Sequence, residues 1–398
     1  MTAVTNYEPW AFFRSRLLYA RNTEIPVQRG SIVAIQALRW LAASLIVVVH
    51  SEQEIAKLAV RHHLPVHFGN PIEFGVGVDI FFIISGFLIH CVSRRQFQVP
   101  AASWDFIRRR ILRVLPLYWL ATVGMLIAIA SVPQVINHNH LEPLQVAMSF
   151  LMIAWPDPEG RIAPLLNLGW TLNLEVYFYG VFAIALLARE GLAVTLLAAY
   201  FSMTVALASL WSEAGWPLRF YGKPIVLEFV FGIMLSTLFA RGLRVKLRAA
   251  VIVGIFAVLL HVILWNLSGW LNTGRVIENG LPACLLFFAC VFAETAPFSP
   301  PAAAFLRLMG DSSYALYLTS PFAINLSAEV LSGRGVNDPM TIVAAVFIIS
   351  TLVAVAVHRL VELPITRFGR RLLARRQQKV LANLPPPATA SVRGQPVA

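Results

Sequence analysis

The chain has 398 residues, of which 58% are hydrophobic and 13% charged, and its mean hydropathy is +0.70. Those values exclude a soluble globular protein and describe a polytopic membrane protein. The net charge of +12 does not point to nucleic acid, because the basic residues recur in alternate connections between apolar runs.

Taken in chain order, ten runs are predicted as membrane helices: 32–50, 74–92, 112–131, 170–188, 191–211, 223–240, 249–270, 280–296, 312–330 and 340–362. Each is near the length of about 20 residues that crosses a bilayer core of roughly 30 Å. None shows the alternation of a membrane barrel, so the predicted fold class is all-α. A shorter run at 144–155 reads as interfacial or re-entrant. Basic clusters occur at Arg14, Arg16, Arg21 and Arg29; at Arg94, Arg95, Arg108, Arg109 and Arg110; at Arg241, Arg244, Lys246 and Arg248; and from Arg367 to Lys379. The intervening connections carry at most two basic residues each, such as Lys57 with Arg61 or Arg219 with Lys223. The positive-inside rule then places both termini in the cytoplasm, which requires an even number of spans. The first run lacks a persuasive cleavage site and reads as a retained helix. The expected organisation is a cytoplasmic segment at 1–31, a membrane domain at 32–366, and a basic then Pro-rich cytoplasmic tail at 367–398, disordered at its end. Cys91, Cys284 and Cys290 lie in or beside apolar runs and form no disulfide or metal framework.

The first helix carries Arg39 and His50 within an otherwise apolar run. Their separation corresponds to a rotation of about 1100°, within roughly 20° of three turns, and a rise of about 16 Å. Both side chains therefore share one stripe at two depths. A central arginine costs about 2.5–3.5 kcal/mol on insertion scales, so it faces a polar interior and marks a site. The predicted topology puts Asp79, Glu175 and Glu228 in the outer halves of the second, fourth and sixth helices, level with His50. Arg110 and Arg113 fall at the inner end of the third. That layering predicts an outer acid–base cluster and an inner anion site. An imidazole oriented by a carboxylate can take a proton from a sugar hydroxyl, and arginine forks suit phosphates such as those of coenzyme A. Plainer roles remain open: Arg39 neutralising Asp79, Asp79 packing beside Gly75, Gly77 and Gly86, Arg110 and Arg113 setting topology, and Trp170 anchoring an interface. A proton-coupled transporter would also keep such residues, and so the chemistry alone leaves a carrier of a polyol or lipid-linked glycan open. An inert assembly subunit of a polysaccharide synthase is a further alternative. His62, His63 and His67 read as solvated loop residues, with no partner at metal-ligand spacing.

Several segments together resemble the membrane acyltransferase 3 family. They are Leu38-Arg39 with His50; Gly77-Val-Asp79-Ile-Phe-Phe-Ile-Ile-Ser85-Gly86-Phe87; Arg109-Arg110-Ile-Leu-Arg113-Val-Leu-Pro116-Leu-Tyr118-Trp119; and Trp170-Thr171-Leu172 with Glu175, Phe178 and Tyr179. Gly310-Asp-Ser-Ser313-Tyr314-Ala-Leu-Tyr317-Leu318 and His358-Arg-Leu-Val-Glu362-Leu-Pro364 complete the series. The likeness extends from about residue 32 to residue 368. It implies a bacterial inner-membrane enzyme moving an acyl group, usually acetyl from cytoplasmic acetyl-CoA, onto a hydroxyl of an exopolysaccharide, lipopolysaccharide or lipid-linked sugar, with no metal. It further implies His50 as base or acyl carrier and Arg39 as its partner, with Glu175 and Asp79 also catalytic. Arg110 and Arg113 would hold the donor; Trp170, Tyr179 and Glu228 would contact substrate. Membrane lipids and polysaccharide-synthesis machinery are the implied partners. One departure stands out: where many members follow the Tyr-Leu pair with histidine, this chain has Thr319 and Ser320.

Overall fold

The computed structural model describes residues 29–61, 73–131 and 142–382, apart from positions 158, 212, 272, 295–297 and 337. His62, His63 and His67, the first 28 residues and the Pro-rich end lie outside the described residues.

The chain is helical almost throughout. The first half holds α1 (Arg29–Arg61), α2 (Val76–Ser93), α3 (Pro100–Ser131), the short α4 (Pro143–Phe150), α5 (Gly169–Ala185) and α6 (Glu190–Leu210). The second half holds α7 (Trp216–Tyr221), α8 (Leu227–Ala240), α9 (Leu247–Leu271), α10 (Leu281–Phe292), α11 (Pro300–Asp311), α12 (Ser313–Gly333), α13 (Pro339–Val357) and α14 (Leu363–Ala382). Wider π-turns at Val276–Gly280 and His358–Glu362 lead into α10 and α14. A two-residue parallel pair, β1 (Val245–Lys246) with β2 (Ala293–Glu294), ties the start of α9 to the end of α10.

Each of the ten predicted runs overlaps a helix, and the run at 280–296 passes beyond the end of α10 into β2. Six helical stretches are long and apolar enough to cross a membrane: 30–57, 76–96, 101–131, 190–210, 247–268 and 339–373. Pro224–Ala240 and Val276–Phe292 are apolar but shorter. Helix α1 runs past His50 to Arg61, because Ile55 and Ala59 keep a buried stripe and Glu54 pairs with Lys57 one turn on. The run at 144–155 forms α4 and a loop hung on α3, with the Tyr118 hydroxyl donating to Ser149 O and the Trp119 indole to Phe150 O. The basic stretch after 366 continues as α14, which passes across that position.

Helix α2 is the hub, and close backbone approach makes it so. A Cβ on Gly86 would lie 2.1 Å from Phe229 O, and one on Gly232 would lie 2.2 Å from Ile83 O, so α2 and α8 cross backbone to backbone. Gly77 meets α1 in the same way, at Ala42 O, whereas a Cβ on Gly75 would meet only the Glu73 side chain. An aromatic stack joins this crossing to α5: Phe82 lies 4.4 Å from Phe229, which stacks at 4.2 Å on Phe178. Outward, α6, α9 and α13 expose Met203, Ile252, Ile255, Phe256 and Leu352, the surface a lipid-facing helix requires.

Candidate functional site

Helical periodicity carries the polar side chains into two separate cavities. The deeper one, of about 110 Å³, is lined by Arg39 of α1, Ser85 of α2, Arg110 and Arg113 of α3, and Glu175 and Tyr179 of α5. Arg110 and Arg113 share a face at i, i+3, and Thr171, Glu175 and Tyr179 form one stripe at i, i+4, i+8. Ser85 Oγ donates to Glu175 Oε1 at 2.7 Å, and the Tyr179 hydroxyl donates to the same oxygen. The Arg110 guanidinium lies over the rings of Phe106, at 5.4 Å, and Tyr179, at 5.7 Å. Arg39 is nearly buried and donates from Nη1 to Gln36 Oε1 at 3.0 Å, while Gln36 Nε2 donates to Asp311 Oδ1 at 2.8 Å. Gly310 permits that chain, since a Cβ there would sit 2.5 Å from Gln36 O. Three guanidinium groups thus face one carboxylate, which leaves the cavity strongly cationic and suited to an anion.

The second cavity, of about 530 Å³, opens at the other end of α1. His50, Gln53, Glu54 and Lys57 line it together with Trp170, Lys223, Asn167, Asn325 and the Asp157–Arg161 loop. His50 Nδ1 lies 3.1 Å from Gln53 Oε1. With that amide oxygen as acceptor, Nδ1 carries the proton and Nε2 keeps the basic lone pair. In the loop, burial pushes the Asp157 carboxyl up, but the Arg161 backbone N–H at 2.7 Å and guanidinium at 2.8 Å outweigh it and hold it below the usual carboxylate range. The Lys223 ammonium lies 4.8 Å from the ring centres of both Trp170 and Phe220.

No residue lines both cavities. On three helices the change occurs within a turn: Ile46 to His50 on α1, Thr171 to Trp170 on α5, and Tyr317 to Pro321 on α12. At that level the Tyr317 hydroxyl donates to Leu168 O at 2.7 Å and lies 2.6 Å from Thr171 Oγ1. Thr171 Oγ1 is also 3.1 Å from Leu168 O. These three residues form a hydrogen-bonded wall. The departing positions Thr319 and Ser320 bond back to their own helix, at Ala315 O and Tyr317 O.

The expected outer cluster of His50 with three carboxylates does not form. Asp79 is fully buried and bound by Arg275, through Nη2 at 2.6 Å and Nε at 3.1 Å. Arg275 Nη2 also reaches Gly75 O, so Asp79 is matched there and not with Arg39. Glu228, also fully buried, lies within electrostatic reach of Asp79 and Arg275. Neither acid lines either cavity. Glu175 joins the arginines, and His50 is held by an amide. The physical reason is angular: topology fixes depth, but each residue turns about 100° around a helix axis, so equal depth does not mean a shared face. Trp170 falls in the vestibule with His50; Tyr179 falls in the deep cavity.

Sequence reasoning missed Gln36, Gln53, Lys223, Arg275 and Asp311. Gln36 and Gln53 each sit three residues from a singled-out residue, a signal that was available. Arg275 carried none, being 196 positions from Asp79. The quoted His358–Glu362 motif forms an Nδ1–Oε2 pair at 2.7 Å on its π-turn, and Glu362 contributes to the field at Arg39.

The apolar helices long enough to cross a membrane, with two cavities along α1, describe a multi-pass membrane protein. The chain belongs to the acyltransferase 3 family, whose model, described as an acyltransferase domain, matches residues 32–359. It is 32% identical over 300 residues to "Exopolysaccharide production protein ExoZ" of Rhizobium meliloti (strain 1021), covering 74% of this chain and 90% of that protein. It is 25% identical over 356 residues to "Putative peptidoglycan O-acetyltransferase YrhL" of Bacillus subtilis (strain 168), covering 80% of this chain and 54% of that longer protein. No solved structure matches the chain.

Proposed function

We propose that this protein transfers an acetyl group from acetyl-CoA to a hydroxyl of an exopolysaccharide or related lipid-linked sugar, across a bacterial inner membrane. The observation that carries the reading is the single helix α1, which delivers Arg39 to a cationic cavity and His50 to a larger vestibule, with the hydrogen-bonded Tyr317, Thr171 and Leu168 at the level where one lining gives way to the other. Both termini are cytoplasmic in this reading, and the donor enters at the arginine-rich end. Arg110 and Arg113 hold its phosphates by charge-assisted hydrogen bonds, and Arg39 with Glu175 orients the pantetheine arm. The acceptor lies against Trp170. His50 Nε2 takes the proton from its hydroxyl, the oxygen attacks the thioester carbonyl, and the coenzyme A thiolate leaves and recovers that proton from the imidazolium. In the two-step variant Nε2 itself attacks the thioester and expels the thiolate, and the sugar oxygen then displaces the acyl group from the ring while its proton passes to the thiolate, which leaves as the free thiol. The wall keeps bulk water from the thioester until acceptor is bound. ExoZ, by its printed name, works in exopolysaccharide production, which supports the acceptor class.

The test uses purified protein in liposomes, acetyl-CoA labelled in its acetyl group, and a cell-surface glycan extract. Label is expected in base-labile ester on carbohydrate and absent with His50→Ala. Full labelling by a well-inserted His50→Ala protein would sink the assignment of His50. No transfer and no acetyl-CoA turnover across several extracts would remove the transferase reading in favour of a carrier.

A further inference from the structure

Three cations line the vestibule, and among the described residues one of them lacks an ion pair. Of its lining cations, Lys57 is bound to Glu54 at 3.0 Å. Arg161 is bound to Asp157 at 2.8 Å and to Glu159 at 3.2 Å. Lys223 has no carboxylate in ion-pair range among the described residues. What it has is two aromatic faces, Trp170 and Phe220, each 4.8 Å from its ammonium. A ring face steadies a cation but does not neutralise it, and the ammonium keeps donors to give to an incoming anion. Lys223 lines the same cavity as His50.

We propose that Lys223 reads an anionic group on the acceptor, so that the vestibule selects an acidic glycan. The inference rests on the acceptor site proposed above and narrows its substrate class. The indole of Trp170 offers a flat apolar face to one sugar ring, and the ammonium beside it meets a carboxylate or phosphate on the same or the next residue. A neutral glycan would leave that ammonium with water alone. The shared chemistry is an oxyanion attached to sugar; its source is either a uronic acid within the glycan or the diphosphate joining a sugar to a lipid carrier.

Binding to the full chain in nanodiscs separates these sources. The probes are a neutral glucose tetrasaccharide, the same chain with one glucose oxidised to glucuronic acid, and a polyprenyl-diphosphate glucose. The expected result is tighter binding of at least one anionic probe than of the neutral one, by about tenfold or more, the scale of one charge-assisted hydrogen bond. That preference should fall with added salt, vanish in Lys223→Gln and persist in Lys223→Arg. Whichever anionic probe shows it identifies the source. Equal affinity for all three probes, or a preference that survives Lys223→Gln, overturns the proposal. Transfer of labelled acetyl is measured in parallel on the same samples. If no label reaches any sugar, the transferase reading fails, while the binding comparison still decides the role of Lys223.

Discussion

Two buried charge clusters in this protein are built from the same residue types and differ in what surrounds them. Around Arg39, three arginines and Glu175 line an open cavity, and the guanidinium groups are held by an amide and by ring faces. Around Arg275, Asp79 is clasped through Nε and Nη2, and Glu228 Oε1 lies 2.8 Å from where a Gly280 Cβ would be. The first arrangement leaves its cations without enough carboxylate, so a ligand completes it. The second is closed in charge, because Asp79 is already matched by Arg275, at the junction of α2, α8 and the π-turn before α10. Burial of charge in a membrane protein therefore marks a site only when a cavity adjoins it; without one, the charge fastens helices.

Breaking the closed cluster should have the largest effect, and on folding. Arg275→Ala leaves Asp79 buried and uncompensated, which costs about 3–5 kcal/mol. Thermal unfolding in detergent is expected to fall sharply, and Asp79→Asn in the same chain should restore much of the loss. An Arg275→Ala protein with unchanged stability and abolished transfer would erase the distinction between the clusters.

Arg39→Ala should do the reverse. The cavity side of Arg39 is not packed, so stability is expected to change by only about 1 kcal/mol. Acyl transfer should drop by about 10- to 150-fold, the cost of losing one charge-assisted hydrogen bond to the donor. Unfolding curves and initial rates on one preparation separate the two outcomes, and a large loss of stability with proportionate loss of rate would make Arg39 structural.

The wall between the cavities should answer more mildly. Tyr317→Phe deletes the hydroxyl shared by Leu168 O and Thr171, leaving Thr171 Oγ1 at 3.1 Å to hold the carbonyl. A bond of about 0.5–1.5 kcal/mol is lost, so hydrolysis of acetyl-CoA without acceptor is expected to rise about 2- to 12-fold. No rise would mean that the hydroxyl does not help to keep water from the donor.

The contrast between the clusters also shows what a sequence discloses. The ten apolar runs each overlap a helix, and six helical stretches are long and apolar enough to cross a membrane, because hydropathy over a span reports its preference for lipid. The pairing of Arg39 and His50 along one stripe was legible from spacing within a single helix, and so were the small-residue contacts of Gly77 and Gly86. The extension of α1 beyond His50 was not, since Ser51–Arg61 mixes charge with the residues that stay buried. Nor was the separation of Glu175 from Asp79. Both acids occupy the outer halves of inward-running helices in the predicted topology. Which face each presents depends on how α2 and α5 rotate against their neighbours, and the decisive partner, Arg275, comes from the far end of the chain.

Glu228 gives the smallest and sharpest test of the comparison. The carboxyl is fully buried beside Asp79, and Arg275, the cation of this cluster, gives its Nε and Nη2 to Asp79. A second full negative charge there would meet desolvation with no partner, and a charge so placed costs several kcal/mol unless a proton neutralises it. The group therefore acts by shape, filling the space against Gly280. Glu228→Gln keeps that shape without the charge, so stability should stay level or rise by up to about 1 kcal/mol, and transfer should stay close to the original. Glu228→Ala removes the shape, and stability should fall in proportion to the cavity left, at about 24 cal/mol per Å³. Loss of transfer in a well-folded Glu228→Gln protein would show that the carboxyl exchanges a proton during turnover, and the closed cluster would then have to be counted as part of the active site.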